Sequence, residues 1–166
     1  MTIKDFCEKY GDIEIIEEQE KQIKEFLNIK ENKRWKPKNG DFYYCVLTHN
    51  MIEKYIYYGN SLDLIFLSNG NCFKTKEEAE FRLEQIKVYN ELKNFADDNN
   101  DEINWNNKSQ EKFNISYDNT TKKILTGFVC WCKYVGEIYF SSRELAEQAI
   151  EKVGEDRIKK YLFEAE

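Results

Sequence analysis

Two hydrophobic periods alternate along this chain, and the switches between them mark its elements. From Asp12 to Lys33 the apolar positions Ile16, Ile23 and Phe26/Leu27 recur at helical spacing among Glu, Gln and Lys, which predicts an amphipathic helix with one narrow apolar stripe. Thr2 and Asp5 offer caps for a shorter helix before Gly11. The turn signal Trp35-Lys36-Pro37-Lys38-Asn39-Gly40 ends this pattern, since a proline disfavours the α region for the residue before it and Asn-Gly favours positive φ. Three β candidates follow, Asp41 to Thr48, Ile52 to Tyr58 and Leu62 to Leu67, rich in aromatic and branched residues. They are expected to form an antiparallel meander. Thr75 three residues before Glu78 is a capping box ahead of a long helix reaching about Ala96. The polar stretch Asp97 to Asn107 reads as a connector.

The second half repeats the plan. Lys112 to Asp118 and Lys122 to Val135 read as strands, Ser142 opens a further helix ending at Gly154, and Asp156 to Phe163 is one more short helical piece. Aligned at Phe73 and Phe140, the halves pair Thr75 with Ser142, Glu77 with Glu144, Ala79 with Ala146, Leu83 with Ile150 and Ile86 with Val153. Trp35 and Trp105 pair too, each followed eight residues later by an aromatic, Tyr43 or Phe113. The expected fold is therefore α+β: two diverged copies of an antiparallel β-meander followed by a helix, with an amphipathic N-terminal helix. The organisation is an N-terminal helical segment over 1–34, a first unit over 35–100 and a second over 101–166, together one compact domain.

Face analysis adds a demand for cover. Phe113, Ile115 and Tyr117 alternate with Asn114, Ser116 and Asp118, giving a strand with one wet face. Both faces of Asp41 to Thr48 are apolar, so part of the sheet must be covered on two sides. In the long helix Ala79, Leu83 and Ile86 share one face while Phe81, Val88, Leu92 and Phe95 lie nearly opposite. The expected second cover is the N-terminal helix or another subunit, and a homodimer is favoured because oligomers are commonly two-fold symmetric.

Composition narrows function more than it reveals it. The 166 residues carry a net charge of −6 and a pI near 5.1, which argues against non-specific nucleic-acid binding, since that affinity needs clustered Lys and Arg. No run approaches the roughly 18 apolar residues of a membrane span. The five cysteines, an odd number without a secretory leader pattern, point to a reducing cytoplasm.

The residues offer no catalytic centre and no cofactor site. His49 is the single histidine, without a Gly-x-Ser-x-Gly or Cys-Gly elbow to serve. No phosphate loop is formed by the scattered glycines. Cys130 and Cys132 share a strand face and, with Cys45, Cys72 and His49, could supply four zinc ligands, but their spacing is wrong for the usual knuckles, so no metal is expected. The acidic groups Glu17/Glu18/Glu20 and Asp97/Asp98/Asp101/Glu102 are able to hold a metal or mimic a phosphate backbone, but such groups usually only solvate a surface. The aromatic set is larger than a core of this size requires. Trp35, Tyr57, Tyr58 and Trp105 are the candidate ligand- or partner-binding residues, able to stack on a base or to anchor a protein.

Four segments carry a resemblance: Trp35-x-Pro37-x-x-Gly40-Asp41-x-Tyr43-Tyr44, Gly70-Asn71-x-Phe73-x-Thr75-x-Glu77-Glu78-Ala79-Glu80, Ile138-Tyr139-Phe140-Ser141-Ser142, and Asp156-Arg157-Ile158-Lys159-Lys160-Tyr161-Leu162. Together they resemble a family of small, uncharacterised accessory proteins of phages and prophages of Firmicutes, over Trp35 to Phe163. The resemblance implies a genomic setting and carries no functional residues with it. In that setting the expected role is a non-enzymatic, anti-CRISPR-like inhibitor of antiviral defence, occupying a host defence protein or sequestering a signalling nucleotide. The alternative is a structural or adaptor protein of phage replication or assembly.

Overall fold

The computed structural model describes residues 34–165. The chain divides into two units, Met1–Lys36 and Pro37–Glu166, and every element below belongs to the second. The expected N-terminal helix lies outside the described residues.

The order is β1 (Phe42–Val46), β2 (Ile52–Ile56), α1 (Ser61–Ser68), α2 (Lys76–Asn99), β3 (Lys112–Asp118), β4 (Lys123–Val129), α3 (Arg143–Val153) and α4 (Glu155–Leu162). This is a mixed α+β fold with two antiparallel two-stranded sheets, β1–β2 and β3–β4. Registers pair Tyr43 with Tyr55 in the first hairpin and Phe113 with Phe128 in the second. A single bridge extends each sheet on its other edge, Tyr44 with Phe73 and Phe113 with Phe140.

Two strand expectations are corrected. Leu62 to Leu67 is helical, because Asn60 accepts from the Asp63 amide while Asp63 accepts from the Asn60 amide, a reciprocal box that satisfies donors only a helix start leaves open. The first sheet is thus a hairpin and one bridge, where a three-stranded meander was expected. The last strand stops at Val129, and Cys130 and Trp131 lie in a bend, so Cys130 and Cys132 do not share a strand face.

The capping box ahead of α2 forms as the sequence predicts: Thr75 Oγ1 accepts from the Glu78 amide at 3.2 Å and the Glu78 carboxylate accepts from the Thr75 amide at 3.3 Å. Thr75→Ala is expected to lower stability by about 1 kcal/mol, read as a shifted urea midpoint at unchanged slope.

Helix α2 changes its buried face halfway. Its first turns bury Ala79 and Leu83 and pack on β1 and β2, with Phe81 and Leu83 bordering Ile52. Later, the opposite stripe of Val88, Leu92 and Phe95 enters the main core with Phe113, Phe140, Ala146, Ala149, Val153 and Ile158. Phe81, on that same stripe, meets Tyr161 of α4 at 5.2 Å between ring centroids. The second stripe is therefore covered by α3 and α4 of the same chain, which corrects the expectation that it needs the N-terminal helix or another subunit. Gly154, at φ 99°, permits the sharp break that folds α4 back toward this position.

The first hairpin is well covered on one face only: on the other, Phe42 and Ile56 stay exposed, so the two-sided cover its apolar pattern predicts is incomplete. Phe66 of α1 packs on Tyr43 and Tyr55, whereas Ile52, on the other face, borders α2. No helix among the described residues is long and apolar enough to cross a membrane.

Candidate functional site: an anchored aromatic loop

Between β4 and the Phe140 bridge runs the loop Cys130–Tyr139, which combines a tethered backbone with projecting apolar side chains. Trp131 is 73% exposed, Tyr134 54% and Val135 fully exposed. Such a run is costly to leave in water, and nothing in the loop's own sequence turns these groups inward.

Four side chains hold the loop. Lys112, wholly buried at the start of β3, donates through Nζ to the carbonyls of Cys130 at 2.9 Å, Asn107 at 2.8 Å and Gln110 at 2.7 Å. Three donors meeting three acceptors use all the hydrogen-bonding capacity of an ammonium group without a carboxylate. Tyr139 Oη accepts from the Tyr134 amide at 2.7 Å, and burial, the largest influence on this phenol, raises its pKa and keeps it protonated. Asn114 donates to Glu137 at 2.7 Å, and Asn100 donates to the Tyr139 carbonyl at 2.8 Å. Behind the loop, Val135, Glu137 and Ile138 line an open cavity of about 300 Å³ with Tyr89, Leu92 and Phe163.

Of the four aromatic residues singled out in the sequence, Trp105 joins this site. It packs edge-on against Tyr139 at 4.9 Å, with Lys112 Nζ and Lys133 Nζ 5.5 and 5.2 Å from its ring centroid. Half-buried, it supports the loop and offers little free ring. Tyr57 is also half-buried, edge-on to Tyr43, in the first hairpin. Tyr58 is 64% exposed beside α1, and Trp35 is half-buried. Sequence reasoning counts Trp131 and Tyr134 in the aromatic surplus without singling them out, because Lys122 to Val135 reads as one strand, whose alternation would bury about half its rings.

A second polar centre lies in the first hairpin. Asp63, buried at the start of α1, accepts from Tyr43 Oη at 2.8 Å, from the Tyr58 amide at 2.8 Å and from the Asn60 amide at 3.2 Å. Burial pulls the Asp63 pKa upward most strongly, but the combined donors leave it below the ordinary aspartate value. The same burial and the facing carboxylate push Tyr43 far above the ordinary phenol range. Cys45 is pushed up to about 11, foremost by burial and next by Cys72, so its thiol stays protonated at neutral pH. His49 is exposed in its turn, within hydrogen-bond distance of Thr48. Among the described residues no three of His, Cys, Asp and Glu gather as a metal site would require.

No protein-family model matches the chain, and no curated protein or solved structure matches it either.

Proposed function

We propose that this chain is a non-catalytic binding protein of a phage or prophage that counteracts bacterial antiviral defence by occupying a host defence protein in the bacterial cytoplasm. Its contact surface is the Cys130–Tyr139 loop. The observation that carries the reading is the exposure of Trp131, Tyr134 and Val135 on a loop whose backbone is tethered at three points and whose Glu137 side chain is held at a fourth. Trp and Tyr dominate binding hot spots, and a preordered loop loses little further entropy on docking. The resemblance to phage accessory proteins supplies the setting. A protein target fits better than a sequestered nucleotide, because the projecting rings are open to solvent whereas small-molecule sites enclose their ligand.

The same reading takes 35–100 and 101–166 as diverged copies of one unit. Phe73 and Phe140 each bridge the first strand of their own hairpin, and each precedes a helix N-cap, Thr75 or Ser142, by two residues. The bridges align Phe113 with Tyr44, one residue beyond the Tyr43 match. Tyr43 and Lys112 then become equivalent, and both are wholly buried polar anchors: Tyr43 bonds α1 and Lys112 bonds the loop, the two segments that connect hairpin to bridge.

Expression in bacteria carrying a panel of defence systems tests the reading. The chain is expected to restore phage plating against at least one system, and Trp131→Ala with Tyr134→Ala to abolish the rescue while leaving the unfolding midpoint unchanged. Each truncation is expected to weaken the target complex by about 30-fold or more. Failure to relieve any system, together with a reduced phage burst in undefended cells when the gene is deleted, would favour the adaptor role. A thermal shift with cyclic nucleotides or ADP-ribose derivatives that survives both loop substitutions would replace the protein target by a nucleotide.

A further inference from the structure

Helix α1 is apolar nearly all round, yet it lies on the surface. Its one charged residue, Asp63, is turned inward and bonded to Tyr43, so its outer face of Ser61, Leu62, Leu64, Ile65 and Ser68 carries no charge in a chain that is 34% charged. Leu62 is 46% exposed, Leu64 and Ile65 are each 53% exposed, and Tyr58 adds its ring beside them. A helix without an exposed charge or a polar stripe is normally an interior helix.

We propose that this face pairs with α1 of a second copy about a two-fold axis, making the protein a homodimer. Three arguments select a second copy. The first is symmetry: an isologous contact sets each residue against its own surroundings in the partner, and a charge-free apolar face is complementary to itself. The second is electrostatic. Each copy carries a net charge of −6, and this neutral face lets two acidic chains meet without bringing like charges together, while it offers a charged partner nothing to pair with.

The third argument is area. Half-exposing four large side chains leaves roughly 400 Å² of apolar surface per copy, close to the apolar share of a standard interface, which buries about 800 Å² per partner. Ser61, Ile65 and Ser68, spaced i, i+4 and i+7, run along the middle of the face. Antiparallel pairing places Ile65 near its own copy at the axis, with Ser61 facing Ser68 of the second copy. This contact is separate from the Trp131 loop and does not depend on the defence reading.

Sedimentation of the full chain from low micromolar to about 0.5 mM tests it. The expected result is reversible growth to twice the 20.0 kDa chain mass. Ile65→Glu is expected to return the monomer mass and weaken self-association by about 30-fold or more, with the circular dichroism spectrum kept. Should that variant fail to fold, Ile65→Cys gives a second reading: mild oxidation is expected to yield a disulfide-linked dimer that the parent chain does not form. A monomer at every concentration overturns the proposal, as does a dimer that Ile65→Glu leaves intact. Loss of defence relief in a monomeric Ile65→Glu variant of a monomeric parent would assign the face to the target protein, and overturns it equally.

Discussion

Lys112→Met is expected to lower folding stability by about 3 kcal/mol, with a fall in Tm on the order of 10 °C. The methionine fills nearly the same space, so the loss is one of hydrogen bonding. Three carbonyls, of Asn107, Gln110 and Cys130, lose their shared donor; exposed Asn107 keeps the Gln110 amide, so the loss falls mainly on Gln110 and Cys130, at about 1–3 kcal/mol for each acceptor left unpaired. Removing a buried charge offsets part of that cost, which brings the sum down to the stated figure. Because Lys112 ties the start of the Cys130–Tyr139 loop, hydrogen exchange at the Tyr134 amide should also accelerate more than in the core of α2. An unchanged urea midpoint would mean that water replaces the ammonium at little cost, and that Tyr139, Asn114 and Asn100 hold the loop without it.

Asp63→Ala is expected to cost about 3 kcal/mol by a different route. It strips the acceptor from Tyr43 Oη and from the Tyr58 and Asn60 amides, and it removes half of the box that starts α1. Asp63→Asn keeps the shape and one acceptor and should cost less. The carboxyl also leaves a pH signature. Its folded pKa lies below the unfolded aspartate value of about 3.9, so its contribution is complete above that pH and disappears as pH falls through the lower, folded value. Stability measured from pH 7 down to pH 2 should therefore fall less steeply below about pH 4 in Asp63→Asn than in the parent. Equal slopes would show that Asp63 is not the carboxylate being lost.

The local signals in this sequence were sufficient wherever an element is defined by its own residues. The Thr75 box, the Gly154 break and the Asn-Gly turn before β1 all act over a few positions, and all are present in the fold. The one wet face expected of β3 is not found: Lys112 is wholly buried, and Asn114, Ser116 and Asp118 are half-buried like Ile115 and Tyr117, because Lys112 and Asn114 turn to the loop after β4. Leu62 to Leu67 fails as a strand because a short apolar run has no decisive period; the Asn60–Asp63 box is the local signal that marks it as a helix. The two stripes of α2 were legible as well, since they follow from 100° per residue.

What covers those stripes is a matter of which distant elements return to the helix, and that depends on contacts between residues far apart in sequence. Only the tertiary structure put Tyr161 on Phe81 and brought Phe140 and Ile158 into one core with Val88 and Leu92. The candidate site has the same origin. Trp131 and Tyr134 are ordinary strand-forming residues by composition. They project because Lys112 of β3, Asn100 at the end of α2 and Tyr139 hold the loop backbone, and Asn114 of β3 holds the Glu137 side chain, out of the ladder. The sequence by itself determined where helices begin and which faces are apolar, because those properties are local. Which apolar groups remain outside was decided by tertiary hydrogen bonds.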